Sequence, residues 1–251
     1  MKTVLSSLAV VLLFACNSNN KSEQSVALKK DSIVIHHDSN KPVKANPHCT
    51  IENEVASLGI GLIIAPNSFA LYDDSTLTDK PEFIDMHKQA DSLSGICTMV
   101  FDPEYSLMHF ACVGQTENAY QVLINHSQTK YLPRKKEYQF QTWEQYLLQS
   151  FGIKRKTDET DENEKPLTAL RKSPSDSANA IVLPAGHEMF CAMEVQGDWL
   201  KVQYDCFYND EDSKYEGRPC HNYIGKCSNA LTGWLRWRKD NKLLVDIFLM
   251  P

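Results

Sequence analysis

Residues 186–205 read GHEMFCAMEVQGDWLKVQYD and residues 232–237 read TGWLRW. Phe190 to Val195 and Trp199 to Tyr204 are short runs around Gln196, Gly197 and Asp198, a turn signal that predicts an antiparallel hairpin, and Gly233 opens a third strand. Alternation with period two sets Cys191, Met193, Val195, Leu200, Val202 and Tyr204 on one buried face, with Trp199, Lys201 and Gln203 on the other. On the third strand Leu235 and Trp237 share a face, and Trp234, Arg236 and Arg238 share the opposite one.

Around this hairpin, Leu167 to Arg171 reads as a first strand, Ser173 to Asn179 as a polar loop, and Ile181 to Leu183 as a short strand closed by Pro184 and Gly186. Residues 206–232 form a long insertion containing Cys220 and Cys227; a loop of that length is either functional or stapled. Leu243 to Met250 reads as a closing strand. The same order of signals recurs upstream in weaker form: strands at Leu62 to Ala65 and Phe69 to Tyr72, a polar segment around Pro81, then Ile96 to Phe101, Leu107 to Val113, Tyr120 to Asn125 and Lys130 to Pro133. One register of the two blocks pairs Met108 with Met189, Phe110 with Phe190 and Lys130-Tyr131-Leu132 with Gly233-Trp234-Leu235, keeping Tyr120 beside Trp199 as the aromatic residue after the turn. A second pairs Cys97 and Cys112 with Cys191 and Cys206; the first keeps the closing aromatic-Leu pair. Thr142 and Gln145 have capping-box spacing, and Trp143, Tyr146, Leu147 and Phe151 fall at helical intervals before Gly152, which predicts a short helix packed on the first block.

The Gly-Asp-Trp turn followed by a strand, a loop and Gly-Trp-Leu resembles the bacterial Src-homology-3-like (SH3-like, SH3b) domain. Phe69-Ala70-Leu71-Tyr72-Asp73 also resembles the Ala-Leu-Tyr-Asp-Tyr opening of eukaryotic SH3 domains, with the final Tyr replaced by Asp74. The resemblance implies a mainly β chain made of small SH3-like β-barrels in tandem, with one short helix after the first barrel. The first domain would span residues 49–152 and the second 167–251, joined by an acidic linker at 153–166, and such domains bind ligands without chemistry of their own.

Residues 1–15 have the pattern of a signal peptide: Lys2 and then an apolar run too short to span a bilayer as a mature helix. Leu13-Phe14-Ala15-Cys16 resembles the bacterial lipobox, which makes Cys16 the lipidation site and predicts a membrane-anchored lipoprotein of the bacterial envelope, at the outer membrane facing the periplasm. Residues 16–48, rich in Asn, Ser and Lys, read as a flexible tether. The chain carries 26 basic and 32 acidic residues; cleavage removes Lys2 and leaves 25 against 32, a formal charge of −7. Nucleic acid is therefore not an expected partner.

Lipidation at Cys16 leaves seven other cysteines, an odd number, so at least one thiol stays free or pairs outside the chain. A Cys97–Cys112 disulfide is expected if the connecting turn is Pro103 to Ser106, because the two residues then face each other across a hairpin. Cys220-His221 and His48-Cys49 invite thiol chemistry, and Cys220, His221 and Cys227 offer three of the four usual zinc ligands at a non-standard spacing. Neither arrangement has the context that activates it, so no metal, no cofactor and no catalytic residue is expected. Trp199, Trp234 and Arg236 form the expected ligand site: an indole platform beside a guanidinium suits a peptide or glycan with a carboxylate, unless the 206–232 insertion covers both rings. The function expected is a non-catalytic binding or scaffolding module for peptidoglycan or an envelope protein. A small envelope enzyme using a Cys-His pair and a purely structural lipoprotein are the alternatives.

Overall fold

The computed structural model describes residues 49–50, 55–89, 93, 95–156, 165–208, 214–215, 217–228 and 230–250. The signal peptide, Cys16, the tether and residues 157–164 of the acidic linker lie outside them. In chain order the strands are β1 (Cys49–Thr50), β2 (Gly61–Ile64), β3 (Ser68–Leu71), β4 (Glu82–Asp85), β5 (Cys97–Thr98), β6 (Val100–Asp102), β7 (Leu107–Gln115), β8 (Ala119–Leu123), β9 (Thr129–Pro133) and β10 (Gln139–Thr142). They continue as β11 (Gly152–Arg155), β12 (Met189–Gln196), β13 (Trp199–Tyr204), β14 (Thr232–Arg236), β15 (Arg238–Lys239), β16 (Lys242–Leu243) and β17 (Val245–Phe248). One turn of helix, α1 (Met86–Gln89), follows β4, and α2 (Trp143–Leu148) lies between β10 and β11.

The chain is mainly β, arranged in several sheets, none of which closes into a barrel. The two large sheets follow one path. The first runs β10-β2-β7-β8-β9 with β6 added on β7; the second, read from its last strand, runs β17-β11-β12-β13-β14. Each is a four-strand meander whose fifth strand returns beside the first. The correspondence extends to single residues. Ile63 lies between Phe140 and Phe110, as Ile153 lies between Ile247 and Phe190. Tyr120 pairs with Leu132, as Leu200 pairs with Leu235. Tyr72 exchanges both backbone hydrogen bonds with Tyr131, and Arg171 does so with Trp234, so Ala70-Leu71-Tyr72 corresponds to Ala169-Leu170-Arg171. The first of the two sequence registers is thus right at Phe110–Phe190 and at Tyr131-Leu132–Trp234-Leu235, but Met189 takes the place of His109, not Met108, and Tyr120 that of Leu200, not Trp199.

Both second strands carry a bulge, β7 between Cys112 and Gly114 and β12 between Ala192 and Glu194. The bulge overturns the expected alternation at Cys191 and Met193, while Val195, Leu200, Val202 and Tyr204 pack with the core as expected. Leu200 and Val202 are core residues as expected, but on β12 it is Phe190 and Ala192 that join them, Cys191 packs on the other side, and Met193 is 44% exposed. An inserted residue reverses the phase of every side chain beyond it.

Three further expectations change. Residues 153–155, read as the start of the linker, form most of β11, a strand inside the second sheet between β12 and β17. Only Ile153 there is apolar and buried; Arg155 is held by Glu188 and Lys156 pairs with Asp246. Of the expected linker end at 165–166 and first strand at 167–171, residues 165–168 form a 3-10 turn and only Arg171 bridges, to Ala180 and Trp234. Ile181 to Leu183 is not strand, and Val182 is 90% exposed.

The Cys97–Cys112 pairing is also corrected. The turn is indeed Pro103 to Ser106, since Asp102 pairs with Leu107 and Val100 with His109. The ladder ends there. The chain before Val100 swings away, so that the Cys97 N–H donates to the Ile124 carbonyl at 2.6 Å and β5 runs parallel to β1. Cys97 is disulfide-bonded, whereas Cys112 is a free buried thiol on the opposite side of the first sheet.

The core explains why the two blocks fold as one. Ile63, Phe110, Val122 and Leu132 line one side of the first sheet with Phe69, Leu71 and Ile84 over them. The other side contributes Leu62, Ala111 and Leu123 to a second core shared with Leu200, Val202, Leu235 and Val245. Between them lies α2, started by the expected capping box of Thr142 and Gln145 and burying Trp143, Tyr146 and Leu147. Trp143 donates to the Leu58 carbonyl at 2.9 Å, and its ring centroid is 5.4 Å from that of Trp237. The helix therefore serves both blocks, not the first alone. A fragment of residues 167–251 lacks β11 and the α2 side chains. Expressed alone it is expected to give a disordered amide spectrum, whereas the chain from residue 44 onward folds.

Tyr146 also reaches back to the first sheet, where its hydroxyl lies 2.8 Å from His109 Nδ1. His109 is 3% exposed, and burial pulls its pKa down to about 4. In the unfolded chain this imidazole titrates near its usual value of about 6.5. The folded form binds the proton less well, so stability is flat above that value and falls as pH drops from 6.5 towards 4. Denaturation at pH 7 and pH 4 is expected to show a loss for the native chain roughly 3 kcal/mol larger than for His109→Leu.

Candidate functional site

Gly197, with φ of 58°, makes the two-residue turn with Asp198 that sets Trp199 opposite Gln196. Trp199 then faces Arg236, and Lys201 faces Trp234, across β13 and β14. All four lie on the sheet face turned away from the shared core. The expected site residues Trp199, Trp234 and Arg236 are thus brought together, with Lys201 as a member the sequence reading left out of the site. The Arg236 guanidinium carbon is 5.8 Å from the Trp199 ring centre and Lys201 Nζ is 6.0 Å from that of Trp234. Both indoles are half-buried. Arg236 is already engaged: Asp176 lies 2.8 Å from it and Asp198 at 4.0 Å, so its charge is offset within the protein.

Where it is described, the 206–232 insertion packs away from this pair of indoles. It is stapled, by Cys191–Cys220 and Cys206–Cys227, and it packs Tyr223, Ile224 and Phe207 around Cys191 at the other end of the face. The Gln203 side chain donates to the Ile224 carbonyl at 3.2 Å. Buried Asp205 accepts from the Tyr223 hydroxyl at 2.6 Å, and burial first, then the carboxylate, push the Tyr223 pKa up. Cys220 and Cys227, the thiols considered for catalysis or zinc, are consumed by these bridges. Cys112 keeps its thiol, which donates to the Gly114 carbonyl and whose pKa burial pushes up to about 11.

A more open concavity lies between the two-stranded β3–β4 sheet and the turn that follows β9 of the first sheet. Ala70 pairs with Phe83 and Ser68 with Asp85, so these residues and Tyr72 share one face. Across from them, Lys135 N–H donates to the Pro133 carbonyl and Tyr138 N–H to that of Lys135, a tight turn that closes the second wall. The concavity, about 590 Å³, is lined by Ala70, Tyr72, Pro133 and Lys135, with the buried core rings Phe69 and Tyr138 behind them. Phe83 stands at its edge, 73% exposed. Asp74, which occupies the place of the second Tyr in the SH3-type motif, accepts from the Thr76 N–H at 2.7 Å; it shapes the turn after β3 and lines no wall. The Ala70-Leu71-Tyr72 stretch was the legible signal for this site. Phe83 and Tyr138 were missed because each is a single aromatic residue in a polar segment.

Compared with known proteins, the chain matches no family model, no curated protein and no solved structure. Among the described residues no helix is long and apolar enough to cross a membrane.

Trp199 and Trp237 should respond differently to truncation. Trp237 is 1% exposed with its indole N–H on the Gly197 carbonyl, so Trp237→Ala is expected to cost about 3–5 kcal/mol of stability. Trp199→Ala removes an outward, half-buried ring and is expected to cost about 1 kcal/mol. Urea denaturation of both variants checks the difference.

Proposed function

We propose that the protein is an envelope lipoprotein, anchored through Cys16, whose folded part is a tandem pair of SH3-like modules binding an extended peptide without catalysing a reaction. The peptide belongs to peptidoglycan or to an envelope protein. The lipobox-like Leu13-Phe14-Ala15-Cys16 supports the anchor. The shared strand order of the two sheets, and their matching Ala-Leu pairs at 70–71 and 169–170, support the tandem modules.

The observation that carries the binding reading is the groove. Phe83 stands 73% exposed at the edge of this open concavity, an apolar ring that a ligand seated there would cover. The site is assigned there and not to Trp199, Trp234 and Arg236, because a carboxylate arriving at Arg236 would have to displace Asp176. The Cys-His alternative is disfavoured by the sulfur chemistry: Cys220 is bridged, and a thiol held near 11 supplies little thiolate at neutral pH.

Co-sedimentation of the unlipidated mature chain with purified wall sacculi, and pull-down from envelope extracts, test the reading. Phe83→Ala is expected to weaken whichever interaction is found by about tenfold or more, with an unchanged melting temperature. Retention by both materials that is indifferent to Phe83 would overturn it.

A further inference from the structure

We infer that Cys97 is bridged to Cys49, so that the chain leading from the lipid anchor is joined covalently to the first block where it enters the fold; this rests on Cys16 being the lipidated residue. The cysteine count leaves one partner. Lipidation of Cys16 leaves seven other cysteines. Cys191–Cys220 and Cys206–Cys227 use four of them, Cys112 keeps its thiol, and Cys97 is disulfide-bonded. Cys49 is the one that remains. Cys97 is 7% exposed and belongs to the core shared by the two sheets, which bars a second molecule from reaching it, so its partner comes from this chain.

The backbone sets the two positions side by side. β1 runs parallel to β5 with Cys49 opposite Cys97 and Thr50 opposite Thr98. Neighbouring strands lie about 4.8 Å apart, within the roughly 4.4–6.8 Å that a disulfide spans between Cα atoms. β5 is fixed from its other side, because the Cys97 N–H donates to the Ile124 carbonyl and the Met99 N–H to that of His109. β1 has less to hold it: it is two residues long and within its sheet pairs only with β5. So short a pairing is marginal by itself, and the covalent bond supplies what the ladder lacks. The bond closes a loop from residue 49 to residue 97 that carries β2, β3 and β4, and with them the hairpin at the groove. A pull arriving from the anchor is then borne by a bond into the shared core. The bridge forms by exchange with a disulfide-bearing oxidant, which takes two electrons and two protons from the thiols and departs as a dithiol. Cys49, singled out in the sequence beside His48 as a candidate reactive thiol, is consumed in this way, as Cys220 is in its own bridge.

Peptide mapping of the mature chain, isolated from the envelope in the presence of an alkylating agent and digested without reduction, tests this. The expected product is a peptide carrying Cys49 joined to one carrying Cys97, which reduction separates. Cys49→Ser is expected to yield one additional alkylatable thiol, at Cys97, once the chain is denatured. Its melting temperature is expected to fall by about 10 °C, as the opening of a closed loop of this length requires. The map is made on the native chain, so it stands even if that variant does not fold. Cys97 joined to Cys16 would overturn the inference and the lipid anchor together. A Cys97 thiol that alkylates without reduction, or a Cys97 joined to that of a second copy, with Cys16 acylated in the same preparation, would overturn the inference and leave the anchor in place.

Discussion

The contact between Trp143 and Trp237 is the constraint on which the rest of the molecule depends. Trp143 is fixed at one end by its hydrogen bond to Leu58, before the first sheet, while Trp237 is fixed by its bond to Gly197 in the turn of the second. Their packing at 5.4 Å makes one core out of side chains from two sheets. A five-stranded sheet of this size buries little apolar surface by itself. Fusing two through a six-residue helix gives the first sheet a second buried side and gives the second sheet a cover.

Within that frame the two sheets share a path and differ in what they present. At the position of Tyr72 the second sheet has Arg171, and at the position of Pro133 it has Arg236, so an apolar wall in one becomes a guanidinium surface in the other. Asp176 and Asp198 then neutralise Arg236. The outer face of the second sheet is closed further by the stapled insertion, whose two disulfides span 29 and 21 positions. Loop closure of that length removes unfolded-state entropy worth a few kcal/mol, about 3 each in the chain-entropy model, which a loop with few buried residues needs. Among the described residues nothing comparable covers the two-stranded β3–β4 sheet, and Phe83 stays exposed there.

Much of the secondary structure was legible in the sequence because it depends on neighbours. Alternation located β2, β3, β7, β8, β9 and β13; Thr142 and Gln145 marked the start of α2; Gly197-Asp198 marked the turn. The spacing of Tyr131-Leu132 against Trp234-Leu235 was enough to align the two blocks. The β11 strand was not legible: with a single core residue, Ile153, among basic neighbours, its period is hidden, and its identity comes from two partners, one of which lies about 90 positions later.

The sequence by itself determined that this chain is mainly β, where several of its strands and α2 fall, and that residues 206–232 are stapled or functional, since turn chemistry, side-chain alternation and capping act over a few residues. Tertiary structure alone decided the side-chain phase around the β12 bulge, where Cys191 and Met193 leave the core face and Val195 keeps it, because one extra residue reverses the phase without changing composition. It also decided that Cys97 and Cys112 lie on opposite sides of a sheet, that Cys220 and Cys227 take Cys191 and Cys206, and that Phe83 stands over Ala70 at an open groove. Each of these is a meeting of distant segments, and what brings such segments together is the burial of a shared core, a property of the whole chain.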